Sequence, residues 1–221
     1  MMSEQVKKVF LVDDHPLVRE WLTNLINEQG DLEVCGEAED SRRAREMIAA
    51  LNPDVVIVDL SLKESSGMEL IKAIKAQSAD ISTIVLSMHD EKLYAERAIR
   101  AGARGYIMKR ETTKNVVAAI RQVLSGKLHV SPEVAEMFAE KFVDSKLPAG
   151  SSPIEALSDR ELQVFALLGE GYETRRIADS LHLSIKTVQA YCARIKEKLN
   201  LANGTELLRE AVYWHENRAS G

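Results

Sequence analysis

Short apolar runs recur along the first half of the chain, and each is followed by a stretch with helical spacing. Residues 9–12 and 55–58 are wholly apolar, and residues 83–86 are apolar and largely β-branched. Such runs are typical of strands buried on both faces. The pattern predicts strands at 6–13, 32–38, 54–60, 82–88 and 104–108. It predicts helices between and after them at 16–29, 41–51, 67–78, 91–101 and 112–125.

Five alternations of strand and helix predict an α/β fold with a parallel sheet and helices on both of its faces. The crossovers between strands should be right-handed. Gly30, Gly102 and Gly126 stand where helices are expected to stop, so we expect left-handed caps at these positions.

The pattern changes after residue 126. One short helix is predicted at 132–143, and residues 145–153 are rich in Gly, Pro and Ser, which is typical of a linker. Residues 157–216 carry no strand pattern and predict four helices at 158–169, 174–181, 185–199 and 205–216. We therefore expect one domain at 1–126, a linker with a short helix at 127–153, and an all-α domain at 154–221.

Composition and charge narrow the cellular compartments and partners that the protein can have. The net charge of the 221 residues is −5, which indicates neither a membrane-binding nor a broadly cationic surface. The longest apolar runs are far too short to span a bilayer, and the first residues have no apolar core of a secretory signal. The two cysteines fall in different predicted domains. We therefore expect a reducing, cytoplasmic setting and no membrane partner.

Polar residues stand at the ends of four of the five predicted strands. Asp13 and Asp14 close the first strand, Asp59 closes the apolar run of the third, Ser87 lies near the end of the fourth, and Lys109 directly follows the fifth. The carboxyl ends of parallel strands line the ligand crevice of an open sheet. Three carboxylates gathered there repel one another unless a cation joins them, and a hard ion such as Mg²⁺ fits oxygen ligands.

This combination of groups favours metal-assisted phosphoryl chemistry. Asp59 can attack phosphorus as a nucleophile, while Asp13 and Asp14 can hold the metal. Lys109 and Ser87 can bind phosphoryl oxygens by charge and by hydrogen bond. A single Asp at a strand end is commonly a turn former, but the joint placement of five such groups argues against a purely structural role.

Residues 6–125 resemble the receiver domain of two-component response regulators. The resemblance rests on the Asp13-Asp14 pair, on Asp59 with Gly67 eight residues later, on Ser87, and on the spacing from Tyr106 to Lys109. It departs where many receivers have proline: this chain has Lys63 four residues after Asp59, and Arg110 after Lys109.

The receiver resemblance implies a fold and a set of roles. The fold is a flavodoxin-like, doubly wound five-stranded sheet with strand order 2-1-3-4-5. Asp59 would be the phosphoacceptor, and Asp13, Asp14, Asp59 and the backbone carbonyl of Ser61 would bind Mg²⁺. Ser87 and Tyr106 would form the switch pair, with Lys109 at the phosphoryl group. The donor would be a sensor histidine kinase.

The last domain contains the pattern of a helix-turn-helix. Ser158 and Glu161 form a capping box, and two short helices are joined tightly at His182 and Leu183. In the helix from 185 the residues expected to be buried are Ile185, Val188, Cys192, Ile195 and Leu199. Its other faces carry basic residues and residues with small side chains. Such a face can be merely solvated or can enter a DNA groove, and the residues alone leave both interpretations open.

Residues 157–214 resemble the LuxR-type helix-turn-helix of the NarL/FixJ class. The matching stretches are Leu157-Ser158, Arg160-Glu161, Gly171, Ile177-Ala178, Leu183-Ser184, Lys186-Thr187-Val188, Lys198-Leu199 and Asn203-Gly204-Thr205-Glu206-Leu207. The family often has Ser or Thr where Glu173 stands and an acid where Arg176 stands, so we expect Thr174 to cap the helix and Arg176 to add a phosphate contact.

This second resemblance implies that 185–199 is the recognition helix and 205–216 a dimerising helix. The expected DNA-binding residues are Lys186, Thr187, Gln189, Ala190, Ala193, Arg194 and Lys198. The expected dimer contacts are Leu207, Leu208, Ala211 and Val212. A two-fold homodimer would read double-stranded DNA at a roughly palindromic operator.

Together these features predict a phosphorylation-controlled, DNA-binding transcription regulator whose only chemistry is phosphoryl transfer to its own Asp59 and its hydrolysis. One alternative is a DNA-binding regulator that ignores phosphorylation. Another is an enzyme built on the same sheet, either a flavin protein or a phosphatase. A flavin site needs a hydroxyl- and glycine-rich loop after the first strand, and the phosphatase needs an Asp-x-Asp pattern there. This chain has neither. The five histidines are scattered, and we expect His89 to be an ordinary loop residue.

Overall fold

The computed structural model describes residues 6–62, 66–78, 80–110, 113–144 and 153–219. Lys63 and residues 145–152 of the predicted linker lie outside these ranges. The chain divides into two compact units, Met1–Lys146 and Leu147–Gly221. Among the helices of the described residues, none is both long enough and apolar enough to cross a membrane.

The described part of the first unit is built on a parallel sheet flanked by helices. Its strands are β1 (Lys7–Val12), β2 (Leu32–Ala38), β3 (Val55–Val58), β4 (Ser82–Ser87) and β5 (Gly105–Met108). The helices that follow them are α1 (Pro16–Asn27), α2 (Ser41–Leu51), α3 (Gly67–Gln77), α4 (Glu91–Ala101) and α5 (Thr113–Leu124). All neighbouring strands pair in parallel in the order β2-β1-β3-β4-β5. The predicted flavodoxin-like fold is confirmed.

The apolar runs form strands because helices cover both faces of the sheet. Every residue of β3 is buried, and so are the last four residues of β1. One core cluster joins these strands to Leu22 and Ile26 of α1 and to Ile120 and Val123 of α5. Burial on both faces explains why the central strands show continuous apolar runs instead of alternation.

The predicted glycine caps have mixed outcomes. Gly102 and Gly126 have φ values of +123° and +81°, which favour glycine. Gly30 is not a cap, because α1 ends earlier, at Asn27, with Glu28 at its C-cap in a right-handed conformation. The helix therefore ends before the glycine is reached.

Residues after α5 stay with the first unit. The backbone of His129 pairs with β5: Tyr106 N donates to His129 O at 2.9 Å, and His129 N donates to Arg104 O at 2.9 Å. The predicted short helix is confirmed as α6 (Pro132–Asp144), which packs against α4 and carries Lys141 in an ion pair with Glu96. The described residues 127–144 thus cover the outer edge of β5 and part of α4.

The second unit is the predicted four-helix domain. A 3₁₀ turn at Pro153–Ala156 precedes α7 (Asp159–Gly169), α8 (Thr174–Ser180), α9 (Ile185–Lys198) and α10 (Gly204–Ala219). The capping box of Ser158 and Glu161 is confirmed. The expected Thr174 cap is wrong, because Glu173 occupies the N-cap position of α8 and Thr174 is its first helical residue.

The helices α7 and α10 pack closely at a glycine. A Cβ atom placed on Gly169 would lie 2.5 Å from the carbonyl oxygen of Ala211 and 2.9 Å from the side chain of His215. Phe165 and Trp214 contact each other nearby, with ring centroids 5.4 Å apart. The close approach of α7 and α10 buries much of the apolar face of the last helix.

Candidate functional site

The five polar groups predicted to converge do so at the carboxyl ends of β1, β3, β4 and β5. The sheet pairing continues past the strands and anchors their backbones: Asp59 N donates to Val12 O, and Lys109 N donates to Ser87 O, both at 2.8 Å. Asp13, Asp14, Asp59 and Ser87 are all buried. The sheet therefore fixes four polar side chains and Lys109 at one edge.

Lys109 joins two of the three acids. Its Nζ atom lies 2.6 Å from Asp13 Oδ2 and 2.7 Å from Asp59 Oδ2, and its side chain is only 10% exposed. Burial acts to lower the pKa of Lys109, but the charge of Asp59 and the hydrogen bonds to both carboxylates outweigh burial and raise the pKa above its ordinary value. The site thus holds a fixed ammonium group between two carboxylates.

Burial raises the pKa of Asp59 above its ordinary value. The Lys109 ammonium acts against this rise, whereas the nearby Asp13 carboxylate adds to it. Asp59 Oδ1 also accepts a hydrogen bond from Ser61 N at 3.2 Å. The site therefore destabilises the charged form of Asp59, as expected where like charges meet in a place from which water is largely excluded.

The loop after Asp59 passes close to its backbone. Gly67 N donates to Leu60 O at 3.2 Å, and a Cβ atom on Gly67 would overlap the carbonyl oxygen of Asp59 and lie 2.8 Å from Leu60 Cα. Only glycine leaves room for this approach at the start of α3. The eight-residue spacing noted in the sequence therefore has a steric cause.

The acids and one histidine form a cluster that can hold a metal ion. One ligand atom from each of Asp13, Asp14, His15 and Asp59 lies within 4.8 Å of all the others. Among the described residues, Asp14 Oδ1 is buried without an aligned hydrogen-bond donor, although His15 Nδ1 approaches it to 2.8 Å. A cation would satisfy this oxygen, so the donor set fits an oxygen-seeking metal.

Ser87 and Tyr106 meet at the backbone of His89. The Tyr106 hydroxyl donates to His89 O at 2.9 Å, and His89 N donates to Ser87 Oγ at 3.2 Å. Tyr106 is only 1% exposed, and burial raises the pKa of its hydroxyl against a smaller lowering by its hydrogen bond with Ser87. The predicted switch pair is thus in direct contact and is also linked through the backbone of His89.

His89 lies in the loop after β4, as expected, but it makes contacts that the sequence did not reveal. Its Nε2 lies 2.7 Å from Ser61 Oγ, and its ring centroid is 4.9 Å from that of Tyr94. It therefore joins the loop after β3 to the loop after β4. The only signal in the sequence was its position two residues after Ser87, and that spacing does not reveal a contact with Ser61.

The predicted recognition helix α9 presents a polar face to solvent. Val188 and Ile195 are fully buried, but Ile185, expected to be buried, is 44% exposed because it lies at the open start of the helix. The predicted DNA-binding residues at and near this exposed face are Lys186, Thr187, Gln189, Ala190, Ala193 and Arg194. On α8 the guanidinium of Arg176 stacks 4.0 Å above the ring of Tyr172.

Lys198 has a contact that its predicted DNA role did not anticipate. Its Nζ atom lies 2.6 Å from Glu161 Oε2 and 3.1 Å from Ala156 O. Glu161 is buried, and its carboxylate also accepts a hydrogen bond from Ser158 N at 2.7 Å. The ammonium group therefore fixes the end of α9 to the start of α7.

The four residues predicted to form a dimer lie on different sides of α10. Leu207 and Ala211 are 4% and 0% exposed, because they pack inside the second unit. Leu208 is 46% exposed, and Val212 is partly buried. Of the four, only Leu208 and Val212 present apolar surface to solvent within this unit.

Comparison with known proteins identifies both units. The family model described as "Response regulator receiver domain" matches residues 9–121, and that of "Bacterial regulatory proteins, luxR family" matches residues 155–211. The chain is 33% identical over 209 residues to "Oxygen regulatory protein NreC" of Staphylococcus carnosus, covering 93% of this chain and 96% of that protein. It is 34% identical over 205 residues to "Response regulator GacA" of Pseudomonas aeruginosa, covering 93% and 95%.

Solved structures agree with the sequence matches. RcsB from Salmonella enterica serovar Typhimurium, bound to promoter rprA in the presence of the phosphomimetic BeF₃⁻, is 27% identical with a TM-score of 0.59, and the match covers 93% of this chain and 98% of that one. A LuxR-family two-component response regulator from Aurantimonas sp. SI85-9A1 is 33% identical with a TM-score of 0.58, covering 63% and 99%. The chain therefore belongs to the NarL/FixJ family of two-component response regulators, transcription regulators with a receiver domain and a LuxR-type DNA-binding domain.

Proposed function

We propose that Asp59 accepts a phosphoryl group from a sensor histidine kinase and that this group controls DNA binding. The observation that carries the proposal is the Lys109 ammonium, 2.7 Å from Asp59 Oδ2 and 2.6 Å from Asp13 Oδ2. A cation held there can bind a phosphoryl oxygen after transfer. In the step, an Asp59 oxygen bonds to phosphorus, the P–N bond of the kinase's phosphohistidine breaks, and its electron pair returns to the imidazole.

The metal of this site is proposed to be Mg²⁺. The carboxylates of Asp13, Asp14 and Asp59 and the backbone carbonyl of Ser61 would hold it, since oxygen ligands suit this hard cation. The buried and unsatisfied Asp14 Oδ1 supports this assignment. When bound, the ion neutralises charge on the transferring group.

We propose that the phosphoryl group is bound by Lys109 and Ser87 and that Tyr106 moves in response. Lys109 and the Ser87 hydroxyl bind its oxygens, and Ser87 turns toward the phosphoryl group, which breaks the hydrogen bond that its Oγ accepts from His89 N. The loop between β4 and α4 then moves, and the buried Tyr106 hydroxyl loses its present acceptor, His89 O. Tyr106 follows the loop, which changes the face formed by α4 and β5.

The recognition helix α9 is proposed to enter the major groove. Lys186 and Arg194 contact phosphates, Gln189 reads a base edge, and the small Ala190 and Ala193 let the helix approach, with Thr187 beside them. Arg176 of α8 adds a phosphate contact. Lys198 is left out of this set, since its ammonium is already engaged with buried Glu161.

The DNA-bound form is proposed to be a two-fold homodimer on a roughly palindromic operator. Of the four predicted contacts, Leu208 and Val212 present apolar surface for its interface, while Leu207 and Ala211 support the helix from inside. The RcsB complexes with DNA and the arrangement of two RcsB dimers on parallel DNAs support the proposal by analogy.

We further propose a receiver domain at 1–126, a connecting segment at 127–153 and a DNA-binding domain at 154–221. A regulator of this family acts where the chromosome is, so we assign it to the cytoplasm. Its chemistry is limited to phosphoryl transfer onto Asp59 and hydrolysis of the resulting acyl phosphate. The alternative is a regulator of the same fold whose DNA binding ignores the state of Asp59.

Intact-mass measurement tests the acceptor. The full-length protein, incubated with Mg²⁺ and a small phosphodonor, should gain one phosphoryl group that is lost in base, because an acyl phosphate is a mixed anhydride. Asp59→Asn should gain none. Asp54→Asn, at the opposite end of β3, is the matched control and should react like the parent. An adduct that persists in Asp59→Asn would refute the assignment.

A further inference from the structure

His15 reaches into the acid cluster although it lies on the surface. Its Nδ1 atom is 2.8 Å from Asp14 Oδ1 and 3.1 Å from Asp13 Oδ1, while 58% of the side chain is exposed. The role proposed above for the cluster uses only oxygen ligands. The imidazole nitrogen is therefore an additional donor at the site, of a chemically different kind.

The backbone fixes the histidine in this position. His15 is the N-cap residue of α1, with extended φ and ψ of −92° and 109°, and Pro16 follows it. A residue before proline is restricted to extended conformations. The side chain makes no capping hydrogen bond to the helix, and His15 N instead donates to Asp13 Oδ1 at 2.9 Å. The ring is thus directed to the acids instead of to the helix start.

The spacing of the donor atoms suits one metal ion. Late first-row ions bind imidazole nitrogen and carboxylate oxygen at about 2.0–2.2 Å, so neighbouring ligands of one ion lie roughly 3 Å apart. The separations of 2.8 and 3.1 Å from His15 Nδ1 match this spacing. Asp14 Oδ1 is buried and lacks an aligned donor among the described residues, so it is available as a ligand.

We propose that His15 is a metal ligand and that it raises the affinity of the receiver for borderline divalent ions such as Co²⁺ and Zn²⁺ relative to its affinity for Mg²⁺. The inference rests on the acid cluster being the metal site of the proposed function. Imidazole favours late first-row ions, whereas Mg²⁺ takes oxygen ligands. Borderline ions therefore compete with Mg²⁺ for the receiver, and His15 sets how effectively they do so.

A substitution that keeps hydrogen bonding but removes the imidazole tests this role. His15→Gln can still donate to Asp13 and Asp14. The full-length protein is titrated with Co²⁺, followed by its visible absorption, and separately with Mg²⁺, followed by Trp21 fluorescence in a Trp214→Phe background. Removing a hydrogen-bond partner of a metal ligand typically costs about 10- to 100-fold in metal affinity, so removing a ligand itself should lower Co²⁺ affinity at least about tenfold. Mg²⁺ affinity should hardly change.

The matched control is His182→Gln, which removes an exposed histidine from the second unit and should bind Co²⁺ like the parent. Circular dichroism checks the fold, and His15→Ala serves as a second variant. Unchanged Co²⁺ affinity and absorption in both His15 variants would overturn the proposal, as would equal losses for Co²⁺ and Mg²⁺. The Mg²⁺-dependent phosphoryl adduct is measured in the same samples, and its absence from the parent would overturn the proposed function instead.

Discussion

The ammonium group of Lys198, at the last position of α9, lies 2.6 Å from the carboxylate of Glu161 at the start of α7. Glu161 is 3% exposed and is also the second partner of the capping box with Ser158. One buried carboxylate therefore stabilises the start of α7 and holds the end of α9. The orientation of α9 in its domain depends on this pair.

Replacing Lys198 by methionine should lower stability and DNA affinity without removing a phosphate contact. Glu161 would be left buried without its cation, which should cost about 1–3 kcal/mol of unfolding free energy. DNA affinity should fall because α9 is less well positioned, while the dependence of affinity on salt stays the same. Unfolding is followed by Trp214 fluorescence in a Trp21→Phe background. DNA affinity is measured at several salt concentrations.

Lys186→Met is the control for the Lys198 substitution. Lys186 is exposed, so its loss should leave stability unchanged and lower the salt slope by about one unit. If Lys198→Met instead lowered the slope by one unit at unchanged stability, Lys198 would be a phosphate contact and not a positioning residue.

The Glu161–Lys198 pair should also give the second unit a defined acid sensitivity. Burial acts to raise the pKa of Glu161, but hydrogen bonds from Lys198 and Ser158 outweigh it and hold the pKa below the ordinary 4.5. Its stabilising contribution is therefore complete above about pH 4.5 and is lost as the pH falls through the lowered pKa. The stability difference between the parent and Lys198→Met should shrink in that acid range. A difference that stays constant down to the acid limit would contradict this assignment.

Two Asp→Asn substitutions, one at each end of β3, should change the stability of the first unit in opposite directions. Burial raises the pKa of Asp59, so its charge destabilises the fold at neutral pH without metal, and Asp59→Asn should add about 0.5–2 kcal/mol. Burial acts the same way on Asp54, but the Lys7 and Lys8 hydrogen bonds outweigh it and lower the pKa. Asp54→Asn should therefore cost under about 1 kcal/mol, as for a partly exposed pair.

The pH dependence of the two variants supplies the check. The destabilisation by Asp59 is absent below pH 3.8, the ordinary pKa, and develops as the pH rises through the raised pKa. The gain from Asp59→Asn should follow the same course. Chemical unfolding is monitored through Trp21 in a Trp214→Phe background without divalent ions. A loss of stability in Asp59→Asn at neutral pH would show that the Lys109 contact outweighs burial.

The strand and helix pattern and the converging acids could be predicted because both depend on local sequence. Continuous apolar runs mark strands covered on both faces, and parallel strands bring their carboxyl ends together whatever the loops do. Asp13, Asp14 and Asp59 therefore lie where the sequence indicates. Gly30 shows the limit of such local signals, because α1 ends before reaching it.

The contacts of Lys198, His89 and His15 could not be predicted in this way. Each depends on a partner chosen by tertiary packing: Glu161 at another helix start, Ser61 on another loop, and the oxygens of Asp13 and Asp14. Spacing along α10 likewise marks Leu207 and Ala211 as apolar, but only the approach of α7 at Gly169 shows that they face inward.

Leu208→Asp should separate dimerisation from folding. Leu208 is 46% exposed, so an aspartate there should leave stability nearly unchanged but should abolish a dimer formed through α10. Leu207→Ala is the contrasting variant, because Leu207 is 4% exposed and its truncation should cost about 2–5 kcal/mol. Sedimentation of the phosphorylated full-length protein gives the mass. If the Leu208→Asp protein sediments as a dimer and protects both operator half-sites in a footprint, this face of α10 is not the dimer interface.

The most direct measurement of the central claim is DNA affinity of the full-length parent and of Asp59→Asn, each with and without Mg²⁺ and phosphodonor. The DNA is a site selected with the treated parent. Coupling between regulatory sites is typically 5- to 150-fold, so the parent should bind about 5–150 times more tightly after treatment, whereas Asp59→Asn should not respond. Equal parent affinities in both states, or the same gain in Asp59→Asn, would contradict control of DNA binding through Asp59.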